Sequence, residues 1–240
     1  MKTLRFCLAG AFALAAVGAC DASTQSRSAG SASADTVVFP SLRFPPALLH
    51  QGLTWGEVRL IVKVGPDARL VDALVTSYSN RDLADYTLDA LGQARFQPSV
   101  VDHEPVTTVV RLTVQFETRG VIAVERFGSD RVENTPGRFA YEPCEAGRLD
   151  RPLQPITVVP PAYSLELGQQ RAKGSVVLDY YVDESGRVRM PTVRETGSEI
   201  LAGLTLAAIE QWRFQPPSSQ NKPVLVHVRQ KFEFVPEGQG

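Results

Sequence analysis

Few side chains in this 240-residue chain could do chemistry: three cysteines, three histidines and an acid pair at 183–184. Cys7 and Cys20 fall in the N-terminal address read below, where Cys7 would be removed and Cys20 acylated; that leaves Cys144, and one thiol cannot form an intramolecular disulfide framework. No His, Lys or Arg cluster near Cys144 would lower its pKa, so it reads as a partly buried small residue rather than a nucleophile. His50, His103 and His227 have no partner at metal-ligand spacing, which argues against a metal site or imidazole catalysis. Asp183-Glu184 offers carboxylates without the ligand series of a calcium loop, and reads as a solvated hairpin. There is no Gly-x-Ser-x-Gly, no phosphate-binding glycine loop and no nucleophile–base pair that spacing picks out. The expectation is a protein that is not an enzyme, with no cofactor and no metal.

Composition narrows the class further. Hydrophobic residues make up 43% and charged residues 21%, enough for a core. A net charge of -1 gives no basic field for nucleic acid. No apolar run reaches the ~18–20 residues of a membrane-spanning helix, which excludes a polytopic transporter. The N-terminus instead reads as an address. Lys2 and Arg5 precede an apolar stretch from Phe6 to Val17, and Val17-Gly18-Ala19-Cys20 follows. This resembles the lipobox of bacterial lipoproteins. The resemblance implies a signal peptide over 1–19, cleavage before Cys20 and acylation of its thiol, so that the only membrane contact is a lipid anchor. Ordinary cleavage at an Ala-x-Ala-like site and an uncleaved apolar terminus are the alternatives. Asp21 resembles the inner-membrane retention signal of enteric lipoproteins; the outer membrane is the other option. Residues 20–36, small and polar, form a flexible tether.

An internal repeat organises the rest. Shifting the chain by 118 places Arg95-Phe96-Gln97-Pro98 on Arg213-Phe214-Gln215-Pro216, Gly56 on Gly174 and Phe116 on Phe234. Residues 56–116 and 174–234 share 21 identities without a gap, against roughly four expected by chance. In each copy, period-two alternation (Val58, Leu60, Val62, Val64; Val176, Leu178, Tyr180, Val182) marks a strand. A turn and a second strand follow, near 69–76 and 187–194. Asn80 and Ser198 are helix N-caps. The steps Leu83, Tyr86, Ala90, Ala94 and Leu201, Leu204, Ala208, Trp212 mark one helical face. A last strand buries Val110, Leu112, Val114 and Phe116, or Val226, Val228, Phe232 and Phe234, with Gln230 breaking the second series. The fold class is α+β: two copies of a small β-β-α-β domain, each an antiparallel three-stranded sheet with one helix packed on it. The boundaries are 37–117 for domain 1, 118–152 for a linker in which Val121 to Val124 could form a short strand, and 153–240 for domain 2. Phe96, Phe214 and Trp212 read as core, and Pro98 and Pro216 as stops.

Copy two resembles the C-terminal domain of TonB-type energy transducers. The matching segments are Ala172-Lys173-Gly174-Ser175-Val176, Val182-Asp183-Glu184-Ser185-Gly186-Arg187-Val188, Ala207 to Phe214, Asn221-Lys222-Pro223-Val224 and Phe232-Glu233-Phe234. Copy one is a degenerate relative, with Ala94 at the tryptophan position and Ala68 at the turn glycine. The resemblance implies a periplasm-facing protein of the cell envelope. It also implies capture of an extended peptide segment by β-strand addition beside the last strand, with main-chain hydrogen bonds giving affinity. The docking residues would be Val224, Val226, Val228, Gln230, Phe232 and Phe234. The partner would be a segment of an envelope protein such as a TonB-dependent outer-membrane transporter, in a role auxiliary to transmembrane transport. The chain departs from the transducer pattern: it shows no N-terminal transmembrane helix and no long Pro-rich spacer, and it has two domains. A lipid anchor resists pulling only through acyl-chain burial, so force transmission is not expected. The alternative is a structural or assembly lipoprotein whose domains pair edges with each other or in a homodimer, with no peptide ligand.

Overall fold

The computed structural model describes residues 37–40, 42–126, 138–162 and 173–234. The signal peptide, Cys20 and the tether lie outside the described residues. Copy one begins with β1 (Val37–Val38) and α1 (Pro46–His50). The hairpin β2 (Trp55–Val64) and β3 (Leu70–Tyr78) and helix α2 (Arg81–Leu91) come next. The short strands β4 (Arg95–Phe96), β5 (Val100–Val101) and β6 (Glu104–Pro105) lead into β7 (Thr108–Glu117) and β8 (Gly120–Arg126). Copy two runs β9 (Pro155–Thr157), β10 (Gly174–Val182), β11 (Val188–Thr196) and α3 (Glu199–Ile209). It ends with β12 (Arg213–Phe214), β13 (Ser218–Ser219), β14 (Lys222–Pro223) and β15 (Val226–Phe234).

The repeat extends to the hydrogen-bond register. Val58 faces Val114 on β7, and Val176, 118 residues later, faces Phe232 on β15. Both helices are capped where the sequence placed caps. The Asn80 side chain accepts from the Asp82 and Leu83 N–H groups (2.8 and 3.2 Å), and Ser198 Oγ from the Leu201 N–H (3.4 Å). The buried helix face is rotated from the expected one. It carries Leu83, Ala84, Thr87, Ala90 and Leu91, with Leu201, Ala202, Thr205, Ala208 and Ile209 as counterparts. Tyr86 and Leu204 are half-buried, and Ala94 and Trp212 fall beyond the helix ends. The rotation is possible because Thr87 and Thr205 satisfy their own hydroxyls. Each donates back one turn, to the Leu83 and Leu201 carbonyls (2.7 and 2.6 Å), and so can face the sheet. Gly56 lets the helix approach: a Cβ there would lie 2.1 Å from Leu83 Cδ1.

Each copy has its own core between helix and sheet. In copy two Trp212, Tyr180, Phe214 and Phe232 dominate, and the Trp212 Nε1–H donates to the Val159 carbonyl at 2.8 Å. The sheets differ in strand number. Among the described residues the sheet of copy two has the three expected strands, ordered β11-β10-β15, whereas that of copy one has four, ordered β3-β2-β7-β8, one more than expected. The fourth strand comes from the segment after the repeat, which includes Val121 to Val124.

The two copies touch through sheet faces that carry no helix. Ile61, Leu74, Tyr181, Met190 and Leu225 form a third apolar cluster, with Val109 and Tyr141 against it. Around it Arg189 pairs with Asp72 and also donates to the Ala73 carbonyl (3.1 Å), Tyr141 donates to Glu184, and Lys63 meets Glu210 at 3.0 Å. Among the described residues the two sheets are not joined edge to edge, so the alternative reading is left with pairing between two molecules.

Candidate functional site

The site is a strand margin, and its geometry follows from β15. Along one side β15 pairs with β10 without interruption, from Val226 opposite Val182 to Phe234 opposite Gly174. On the other side, among the described residues, the only pairing is a single parallel bridge between Cys144 and Val226, in which the Cys144 N–H donates to the Leu225 carbonyl at 2.7 Å. In an antiparallel ladder, alternate residues turn both backbone groups to the same side. The Leu225 carbonyl points away from β10, so Arg229, Lys231 and Glu233 turn their N–H and C=O groups to the open margin. Among the described residues this is a short row of unpaired strand backbone.

The six residues expected to dock a partner lie as follows. Phe232 and Phe234 are buried in the core between helix and sheet, Val226 is buried, Val228 is half-buried, and Val224 precedes the strand with its N–H on the Pro217 carbonyl (3.1 Å). Gln230 accepts a hydrogen bond from the Tyr180 hydroxyl at 2.7 Å, which explains a polar residue in the apolar series. Tyr180 is fully buried, and its hydroxyl requires a partner that the Val62 of copy one does not. Burial also pushes the Tyr180 pKa up.

The opposite face of β15 is charged. Arg229 makes a bidentate pair with Asp179 (2.7 and 3.0 Å), His227 lies against the Tyr181 ring with centroids 5.0 Å apart, and Lys231 meets Glu233 at 2.8 Å. Burial would raise the Asp179 pKa, but the Arg229 bond, with His227 and Arg194 nearby, holds it below its ordinary value. The Asp179–Arg229 pair is hidden in the sequence because copy one keeps the arginine as Arg111 and has Ile61 where the aspartate stands.

The margin of copy one is filled. β8 pairs along β7 from Glu117 opposite Gly120 to Arg111 opposite Arg126. Downstream, residues 138–162 act as a strap. The Ala140 and Tyr141 N–H groups donate to the Tyr78 carbonyl (2.9 and 3.2 Å), and the Tyr141 ring stacks on Tyr78 at 5.0 Å. Asp150 accepts from the Gln220 and Asn221 N–H groups (2.7 and 2.9 Å) and from Ser218 Oγ (2.8 Å), so it holds the turn before β15. Those contacts keep the Asp150 pKa low. Among the described residues the strap pairs its backbone with β15 at Cys144 alone and continues through Ala146–Arg148. Cys144 acts here through its backbone, which no property of a thiol could signal. Among the described residues no three metal-type ligands gather, and the histidines sit apart on α1, the β5–β6 turn and β15.

A model of the Gram-negative bacterial TonB protein C-terminal matches the chain twice, over residues 40–118 and 159–236. Among solved structures the chain is similar to the TonB C-terminal domain of Pseudomonas aeruginosa, determined in solution. The two are 25% identical over 37% of this chain and 90% of that one, with a TM-score of 0.33. No curated protein matches.

Proposed function

The chain belongs to the Gram-negative bacterial TonB protein C-terminal family, which matches it twice and over more than half its length, and from that premise we propose a membrane-tethered periplasmic binding protein. Domains of this family are non-enzymatic interaction modules of the cell envelope. Here residues 1–19 serve as a lipoprotein signal and Cys20 carries the lipid. Residues 37–240 face the periplasm, and the segment Val224 to Phe234 accepts an extended segment of an envelope partner as an added strand. An outer-membrane transporter is the first candidate. The observation that carries this reading is the contrast between equivalent strands: β7 is covered by β8, while β15 is uncovered from Arg229 to Glu233 among the described residues. Main-chain donors and acceptors at such a margin supply affinity without a pocket.

The test is amide exchange on the acylated protein in detergent, paired with a photo-crosslinker at Lys231 and, as control, at Thr113. The Arg229, Lys231 and Glu233 amides should exchange fast in the free protein and slow with partner bound, and crosslinks should form from Lys231 alone. Slow exchange in the free monomer, or equal crosslinking from both positions, refutes strand addition. The anchor is tested by Cys20→Ala, which should release the protein from the membrane fraction.

The second reading is a structural lipoprotein that pairs β15 margins between two copies. Antiparallel pairing centred on Phe232 would set Lys231 opposite Glu233 of the second copy, a favourable charge match. Sedimentation at micromolar concentration separates the two: a stable dimer with slow β15 exchange supports pairing of copies, and a monomer supports a hetero-partner.

A further inference from the structure

Glu57 is a carboxylate on the helix-free side of β2 with 1% of its surface exposed. A charge so buried lasts only where opposite charge and hydrogen bonds surround it. Copy one supplies part of that: Arg59 Nε donates to Glu57 Oε1 at 2.8 Å and Gln115 Nε2 to Oε2 at 3.2 Å. The rest comes from the strap, 81 residues later, where Arg138 Nη2 donates to Oε2. We propose that Trp55, Glu57 and Arg59 form a seat for an arginine–aromatic pair, that the chain's own Arg138-Phe139 fills it, and that this contact latches the strap across the seam between the copies. The latch works whatever the protein binds.

The two sides of the contact are crossed. The Arg138 guanidinium lies over the Trp55 ring, 4.9 Å from its centroid, and that of Arg59 over the Phe139 ring at 4.6 Å. β2 and the strap therefore each give one guanidinium and one ring. Arg138 Nε is buried without a hydrogen-bond partner, so its hold comes from Glu57 and the indole face. That combination selects a flat guanidinium over an ammonium. A shift of 118 turns Trp55, Glu57 and Arg59 into Lys173, Ser175 and Val177, with neither acid nor ring, so the seat belongs to copy one alone. From the seat the strap crosses the seam within a few residues. The Ala140 and Tyr141 N–H groups bond the Tyr78 carbonyl of copy one, the Tyr141 hydroxyl bonds Glu184 of copy two, and the Cys144 N–H bonds the Leu225 carbonyl. Glu57 holds the first end of this crossing.

The test is amide exchange, residue by residue, on the mature acylated protein in detergent. Glu57→Gln keeps the shape and removes the charge, and should speed exchange at Ala140, Tyr141 and Cys144 by about tenfold or more, because a buried pair is broken. The Asn221 amide, held separately by Asp150, and the Leu60 amide inside β2 should keep their wild-type rates. Arg138→Lys retains the charge but cannot lie flat on Trp55, so it should speed the same three amides. Glu57→Gln combined with Arg138→Gln should be no worse than the stronger single variant. Unchanged exchange at the three amides, faster exchange at Ala140 and Tyr141 with Cys144 unmoved, wild-type rates in Arg138→Lys, or additive effects in the double variant each overturns the proposal. If Glu57→Gln also speeds Leu60, Arg138→Gln decides, since it changes no residue of β2. The same three amides accelerating there with Leu60 protected upholds the latch, and Leu60 accelerating with them overturns it.

Discussion

The Tyr180–Gln230 pair offers a sharp test of how the second core departs from the first. Tyr180 is fully buried and its hydroxyl donates to Gln230 Oε1 at 2.7 Å. The equivalent positions in copy one are Val62 and Leu112, both buried and apolar. Gln230→Leu leaves the tyrosine hydroxyl buried without an acceptor, which costs about 1–3 kcal/mol. Tyr180→Phe removes a bond worth about 0.5–1.5 kcal/mol, but the half-buried glutamine can turn to water. The double variant restores an all-apolar pair, and its loss should fall below the sum of the two singles by about 1–2 kcal/mol. The chain has two tryptophans, so in a Trp55→Phe background the fluorescence of Trp212 reports domain 2 alone during urea unfolding. Additive losses within about 0.5 kcal/mol, or a neutral Gln230→Leu, would refute the claim that the hydrogen bond explains the glutamine.

Three further outcomes are expected. At the β10–β11 turn Gly186 has φ +82°, and a Cβ would fall 2.0 Å from the Phe214 carbonyl oxygen, so Gly186→Ala should cost well over the ~1–2 kcal/mol of left-handed strain alone. Its counterpart Ala68 already sits at φ 59°, so Ala68→Gly should stabilise domain 1, read as a raised urea midpoint. Asp179 and Asp183 both titrate below their ordinary value: burial raises each, and Arg229 at the first, or Ser185 and the Arg187 N–H at the second, more than reverses it. With folded pKa values below the unfolded ~3.9, their stabilisation is complete above about pH 5 and is lost as pH falls through the folded values. The Trp212 urea midpoint should therefore drop below about pH 4, and less steeply in Asp179→Asn. Met190 is buried in the contact between the copies, so Met190→Glu should split one calorimetric unfolding transition into two. A single unchanged transition would mean that the contact does not couple the domains.

The local rules of chemistry and period were enough to read much of this protein from its residues. Alternation marked β2, β7, β10 and β15 because one face of each strand meets a helix, and that constraint acts residue by residue. Asn80 and Ser198 announced the helices because capping is a contact over two or three residues. The repeat made the two registers equal, since identical patterns on both strands leave one pairing that buries both faces. The turned helix face, with Thr87 and Thr205 inward, was not legible, because a threonine counts as polar until its hydroxyl finds the carbonyl one turn back. Gln230 was opaque for the same kind of reason: its partner, Tyr180, lies 50 positions away in the chain. Which margin stays open was decided only by the tertiary structure. β8 and the Cys144 strap belong to the stretch between the repeats, where no periodicity constrains them, and backbone pairing carries no side-chain signature. The chain's own pattern thus built two equivalent strands, and among the described residues the segment between them covers the margin of β7 and meets β15 at Cys144.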